Sequence, residues 1–207
     1  MTPAEIEAHF TRSDGTYLCA RWGRPIVPVV FGVNDETLPV IKGAIEAVAL
    51  LAAHSTAETD PELGANLMMF FMRDWDELLA LPDLSRMIPE LEPLVARLKA
   101  VDANQYRLFR FEPDGAIRAA FVFLRMDAHL DAVPADALAL GQAVQTILLW
   151  SETAFRERSA LAAGPDGEVI LRPEIGALIR AAYDPVLPGA AQDASHALRL
   201  SARMQQG

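Results

Sequence analysis

Apolar and polar positions along the chain follow two periods, and these divide it into short strands and amphipathic helices. Tyr17–Trp22 and Ile26–Val33 are rich in aromatic and β-branched residues and read as two strands separated by Gly23–Pro25. Pro28 would remove a ladder donor, which places the second strand at a sheet edge or on a bulge. Leu38, Ile41, Ile45, Val48 and Leu51 recur at helical spacing. They predict a largely buried helix capped by Thr37, with Pro39 in its first turn and its end near Ala53. After a polar loop, Ser55–Gly64, the apolar run Ala65–Met72 predicts a buried central strand. Arg73–Ala80 and Asp83–Lys99 read as acidic helical stretches, the second broken by prolines.

The clearest local signal is a hairpin over Tyr106–Leu124, turned by Glu112-Pro113-Asp114-Gly115. Ile117, Ala119, Phe121 and Phe123 form one face of the return strand, and Arg118, Ala120, Val122 and Leu124 the other. Both faces become apolar toward the end, so this strand enters the interior. Pro134 then opens a long helix to about Arg158. A Pro165-Asp166-Gly167 turn precedes a short strand, Glu168–Leu171, and a helix over Pro173–Tyr183 stops at Asp184-Pro185. An amphipathic helix, Ala190–Met204, closes the chain. The expectation is one α+β domain spanning residues 1–207, with helix 190–204 as a candidate appendage. Its mixed or antiparallel sheet would have about five strands and a central hairpin, packed against several helices.

Composition narrows the function. The chain has 207 residues, is 52% hydrophobic and carries a net charge of −10, so it can bury a core and is not a disordered segment. Nucleic acid is an unsuitable partner for so acidic a surface. Residues 55–104 hold ten acids against four bases. That bias reads as a solvated face or, more pointedly, as a docking surface for a protein partner. The N-terminus lacks the basic and apolar regions of a secretory signal, and the longest apolar stretch, Ala44–Ala53, falls short of the ~20 residues a membrane span needs. A cytoplasmic protein with Cys19 as a reduced core thiol is expected.

Candidate chemistry is sparse. The histidines, His9, His54, His129 and His196, are unclustered, and no metal or cofactor is expected. His54 and Glu58 stand four apart but lack a third ligand. Asp127, His129 and Asp131 would share one side of an extended segment, where two carboxylates could tune an imidazole. Arg107, Arg110, Arg118 and Arg125 gather on and around the hairpin and could receive an anion, or pair with the surplus carboxylates. Trp150 reads as core packing, with an exposed hot spot as the alternative.

The C-terminal third carries a resemblance. Glu168-Val169-Ile170-Leu171-Arg172-Pro173, Leu178-Ile179-Arg180-Ala181-Ala182-Tyr183-Asp184-Pro185 and Leu187-Pro188-Gly189 resemble the ending of a mainly proteobacterial protein family. Its members are thought to share the zincin-like metallopeptidase fold. The early Arg21-Trp22-Gly23-Arg24-Pro25 resembles that family's opening. The family carries a His-Glu pair on the helix before the Tyr-Asp-Pro helix, whereas the matching stretch here is Leu140–Thr146, without imidazole or carboxylate. The resemblance therefore implies a degenerate bacterial relative without zinc, whose former active-site groove would be marked by Gly141, Gln142 and Gln145. The leading expectation is a non-catalytic protein acting through a partner. The alternative is a hydrolase or small anionic-ligand-binding enzyme using Asp127, His129 and Asp131 or the hairpin arginines.

Overall fold

In the computed structural model, which describes residues 1–206, the first element is a helix the hydrophobic pattern does not announce. Thr2 and Glu5 form a reciprocal capping box around Pro3, and this starts α1 (Pro3–Phe10). The later helices are α2 (Thr37–Leu51), α3 (Leu84–Met87), α4 (Leu91–Ala100), α5 (Ala128–Asp131), α6 (Ala135–Ile147), α7 (Pro173–Ala182) and α8 (His196–Met204). The strands are β1 (Cys19–Ala20), β2 (Pro28–Phe31), β3 (Leu67–Met72), β4 (Gln105–Phe111), β5 (Ile117–Arg125), β6 (Leu161–Ala163), β7 (Val169–Leu171) and β8 (Ala190–Ala191). Together they make an α+β fold.

The main sheet has four strands in the order β2-β3-β5-β4. β3 lies parallel to both β2 and β5, and only the β4–β5 hairpin is antiparallel. Pro28 is therefore on an edge strand, as its missing N–H requires. The hairpin is not central: β5 is internal, but β4 forms the opposite edge. Gly115 takes φ +87° in its turn, a conformation that suits glycine.

Strand alternation sends side chains to two cores. Leu67, Met69, Ala120, Val122 and Leu124 join the larger one, built with α2, α6 and α7. Phe70, Met72, Phe121 and Phe123 join a second with Trp75, α3 and α4. Helices thus cover both sheet faces, which explains why β3 and β5 read as nearly continuous apolar runs.

Several expected boundaries shift. Thr37 is the first residue of α2 rather than its cap; its N–H bonds Asn34 Oδ1 at 2.8 Å, so the preceding turn supplies the acceptor. Trp75–Ala80 is a 3-10 helix capped by Asp74. The helix from Pro134 stops at Ile147, not near Arg158. Its last carbonyls are taken by side chains: Trp150 Nε1 bonds Val144 O, Trp22 Nε1 bonds Thr146 O, and Tyr183 OH bonds Ile147 O, each at 2.8 Å. Leu148 then runs extended beside Arg21. At the C-terminus, Ala190 and Ala191 pair with β1 instead of starting a helix. α8 is no appendage, since Ala197 and Leu200 lie in the larger core and its His196 Nδ1 meets Tyr17 OH at 3.0 Å.

Candidate functional site

The edge position of β4 leaves its inner face opposite α6 without another strand to cover it. Gln105, Arg107 and Phe109 alternate onto that face, while Tyr106 and Leu108 turn to the second core. From α6, Leu138, Gly141, Gln142 and Gln145 recur at helical spacing toward the same space. Between them lies a cavity of about 850 Å³, closed further along by Trp150, Phe155 and Leu161. The expected groove residues Gly141, Gln142 and Gln145 all line it.

At the inner wall the polar groups form a small ring. Arg107 Nη2 donates to Gln142 Oε1 at 2.6 Å and to Gln105 Oε1 at 2.9 Å. Gln142 Nε2 donates to the same Gln105 oxygen at 3.0 Å, and Gln142 is only 1% exposed. Both amide oxygens are consequently occupied, and several donors are left over. Arg107 Nε is buried with no acceptor. Arg107 Nη1 and Gln105 Nε2 make no hydrogen bond among the described residues. No carboxylate pairs with Arg107 among the described residues, and burial pulls its pKa down to about 10. It still carries its charge at neutral pH.

The other hairpin arginines do not assemble with it. Arg110 faces the opposite side of the sheet, where its Nη2 reaches Met87 O at 3.4 Å. Arg118 pairs with Glu62. Arg125 pairs with Asp102 at 2.7 Å. Alternation on two paired strands separates the four; Arg118 and Arg125 find carboxylates, whereas Arg110 reaches a carbonyl and Arg107 only amide oxygens.

The Asp127, His129 and Asp131 cluster does not converge either, because the segment is a helix start instead of an extended strand. Asp127 caps α5, accepting from the His129 and Leu130 N–H groups at 3.0 and 2.9 Å. The Leu130 bond is the main cause of its lowered pKa. Asp131 pairs with Arg73. Only His129 reaches the cavity, as an exposed rim residue. Among the described residues no three His, Cys, Asp or Glu side chains are placed to share a metal ion.

The acidic segment 55–104 is likewise partly used internally. Arg24 pairs with Asp60 and Glu62 at 3.2 Å and also with Glu112. Asp60 receives two backbone N–H bonds at 2.9 Å, which hold its pKa down to about 2. Asp76 pairs with Lys99, and Asp102 with Arg125. The ten acids thus do not form one free face. Among the described residues no helix is long and apolar enough to cross a membrane.

Gln105, Phe155, Arg12 and Arg156 belong to the cavity but carry no site reading from sequence, and Trp150, read as core packing or a hot spot, lines it as well. The legible signal was Gln105 and Arg107, two polar residues on the face of β4 that carries Phe109. No family model matches the chain, and no curated protein or solved structure is significantly similar to it.

Proposed function

We propose that the protein is a non-catalytic receptor for a small organic anion held in the β4–α6 cavity. One observation carries this reading: the Arg107–Gln105–Gln142 ring has spent its acceptor oxygens and keeps unmatched donors around an unpaired guanidinium. Such a site is completed by a group that brings acceptors and negative charge. The lining reinforces the sign. Arg12, Arg107 and Arg156 line the cavity with Glu152 as its one carboxylate among the described residues, within a chain whose net charge is −10.

Catalysis has little to work with at this cavity. Ser151 Oγ lies 3.0 Å from Thr153 Oγ1 and 3.4 Å from Ala8 O, with no imidazole or carboxylate among those partners. Glu152 is held at a pKa of about 2 by hydrogen bonds from Ser13, so it is a poor base. The reading also gives a use to the stretch of α6 that departs from the resembling family's pattern. There an amide ring would hold an anion where the resembling family carries a His-Glu pair.

The test is a thermal-shift titration with sodium benzoate, sodium acetate and inorganic phosphate at low ionic strength. A ligand at a hundredfold its Kd contributes about 2.7 kcal/mol, or a rise of about 5–10 °C in a chain of this size. Wild type should shift with at least one organic anion, and Arg107→Met should not. No shift with any of the three, or equal shifts in both proteins, would overturn the reading.

A further inference from the structure

The cavity defines its ligand further than "an anion". Charge sets the head group. One guanidinium is unpaired at the inner wall, and one negative charge balances it. A phosphate dianion in the same place would bring a second charge that Arg107 alone does not balance. A carboxylate brings two acceptor oxygens, one for the Arg107 Nη1 hydrogens the ring leaves free and one for a Gln105 N–H, while Nη2 stays bonded to the two glutamines.

Shape and lining set the body. The space is about 850 Å³, far larger than a carboxylate needs and within the range of pockets that enclose whole small molecules. Beyond the amide ring its apolar wall is Phe109, Leu138, Leu149, Leu161, Trp150 and Phe155, with charged side chains also lining the space. Trp150 and Phe155 meet edge to face with centroids 5.0 Å apart, and the buried Phe10 stacks on Trp150 at 5.3 Å. The aromatic wall is therefore held in place from behind. Gly141 deepens the space: a Cβ there would meet only Leu161 Cδ1, at 3.7 Å. A small hydrophilic anion would fill the polar end and leave this apolar surface wet.

Resting on the reading of the cavity as an anion site, we propose that its ligand is a hydrophobic monocarboxylate of the alkanoate type. Its carboxylate meets Arg107 and Gln105, and its hydrocarbon chain lies along the Leu138–Leu161 wall toward Trp150 and Phe155. Arg12 and Arg156 line the same cavity and raise the local concentration of anions.

The test is calorimetric titration of the intact protein with acetate, butyrate, hexanoate, octanoate and decanoate, with octylamine and inorganic phosphate as further probes. Each added methylene should tighten binding roughly fourfold until the cavity is filled. Octylamine should not bind, and Phe155→Ala should weaken octanoate binding by a larger factor than acetate binding. Arg107-dependent binding that is independent of chain length would overturn this inference and leave the anion reading standing, as would phosphate binding more tightly than octanoate. Absence of any Arg107-dependent binding would overturn both. Should Arg107→Met not fold, Arg107→Lys supplies the comparison: the point charge remains but the amide ring and the free Nη1 donors are lost, and octanoate should bind at least tenfold more weakly.

Discussion

Replacing Arg107 by Met in the ligand-free protein should raise stability, although the side chain makes two hydrogen bonds. The structure sets the opposing contributions. Burial depresses the guanidinium pKa to about 10, a penalty on the charged form of about 3 kcal/mol. Loss of Nη2 leaves Gln105 Oε1 still bonded to Gln142 Nε2, at 3.0 Å. Only Gln142 Oε1, bonded to Arg107 at 2.6 Å, is orphaned, which costs about 1–2 kcal/mol. Met fills the stem's volume and removes the charge, so the net gain is about 1–2 kcal/mol, or a rise of about 3–6 °C in Tm. The assay is differential scanning calorimetry at pH 7 after any co-purified ligand has been removed by unfolding and refolding. A fall of several degrees would refute the reasoning, because it would make the guanidinium a structural node instead of a charge held ready for a ligand.

Gly141→Leu should abolish octanoate binding with little loss of stability, because the side chain would enter the cavity beside Leu161; far-UV circular dichroism and the binding titration check both halves. Tyr183→Phe should cost about 1–3 kcal/mol in urea denaturation, since it removes the donor to Ile147 O and the acceptor of the Trp22 N–H at a buried site. Burial lowers the pKa values of His54 and His196, so the unfolded chain binds protons that the folded chain refuses. The stability present at higher pH should decline as pH falls below about 6.5, and His54→Gln should flatten that decline in a Tm–pH series. Cys19 is buried and its pKa is pushed up to about 12, so a thiol reagent at pH 8 should label it only after denaturant is added.

The elements easiest to read were those whose signal is local. Gly115 and the hairpin follow from turn chemistry, Pro28 marks an edge, and the run before Met72 is a central strand covered on both faces. Thr2, Pro3 and Glu5 offered an equally local helix-start signal that hydrophobic periodicity overlooks. Less legible was anything set by distant partners. No window around Leu148 contains the Trp22 and Tyr183 side chains that donate to the last carbonyls of α6, so the sequence alone runs that helix on toward Arg158. Strand order is similarly nonlocal, which is why the hairpin was expected at the centre of the sheet.

The site shows the same division. Gln142 and Gln145 could be marked from their helix, and Arg107 from its strand, but as parts of separate candidates. Their meeting depends on β4 becoming an edge against α6. Asp127, His129 and Asp131 looked chemical only if the chain stayed extended; a helix start turns Asp127 into a cap and gives Asp131 to Arg73. What distinguishes Arg107 is the absence of a carboxylate beside it, unlike Arg118 and Arg125, together with burial that the exposed Arg110 lacks; both are properties of packing that spacing does not encode.

The unmatched donors of Arg107 are the centre of this account, and they can be observed directly. The Nε–Hε group is buried and lacks an acceptor, so its proton–nitrogen NMR signal should be resolvable at neutral pH and assignable by its loss in Arg107→Met. On titration with sodium octanoate that signal should move progressively and saturate, while those of Arg110 and Arg118 stay in place. An Arg107 signal unmoved at octanoate concentrations that shift other residues would contradict the account.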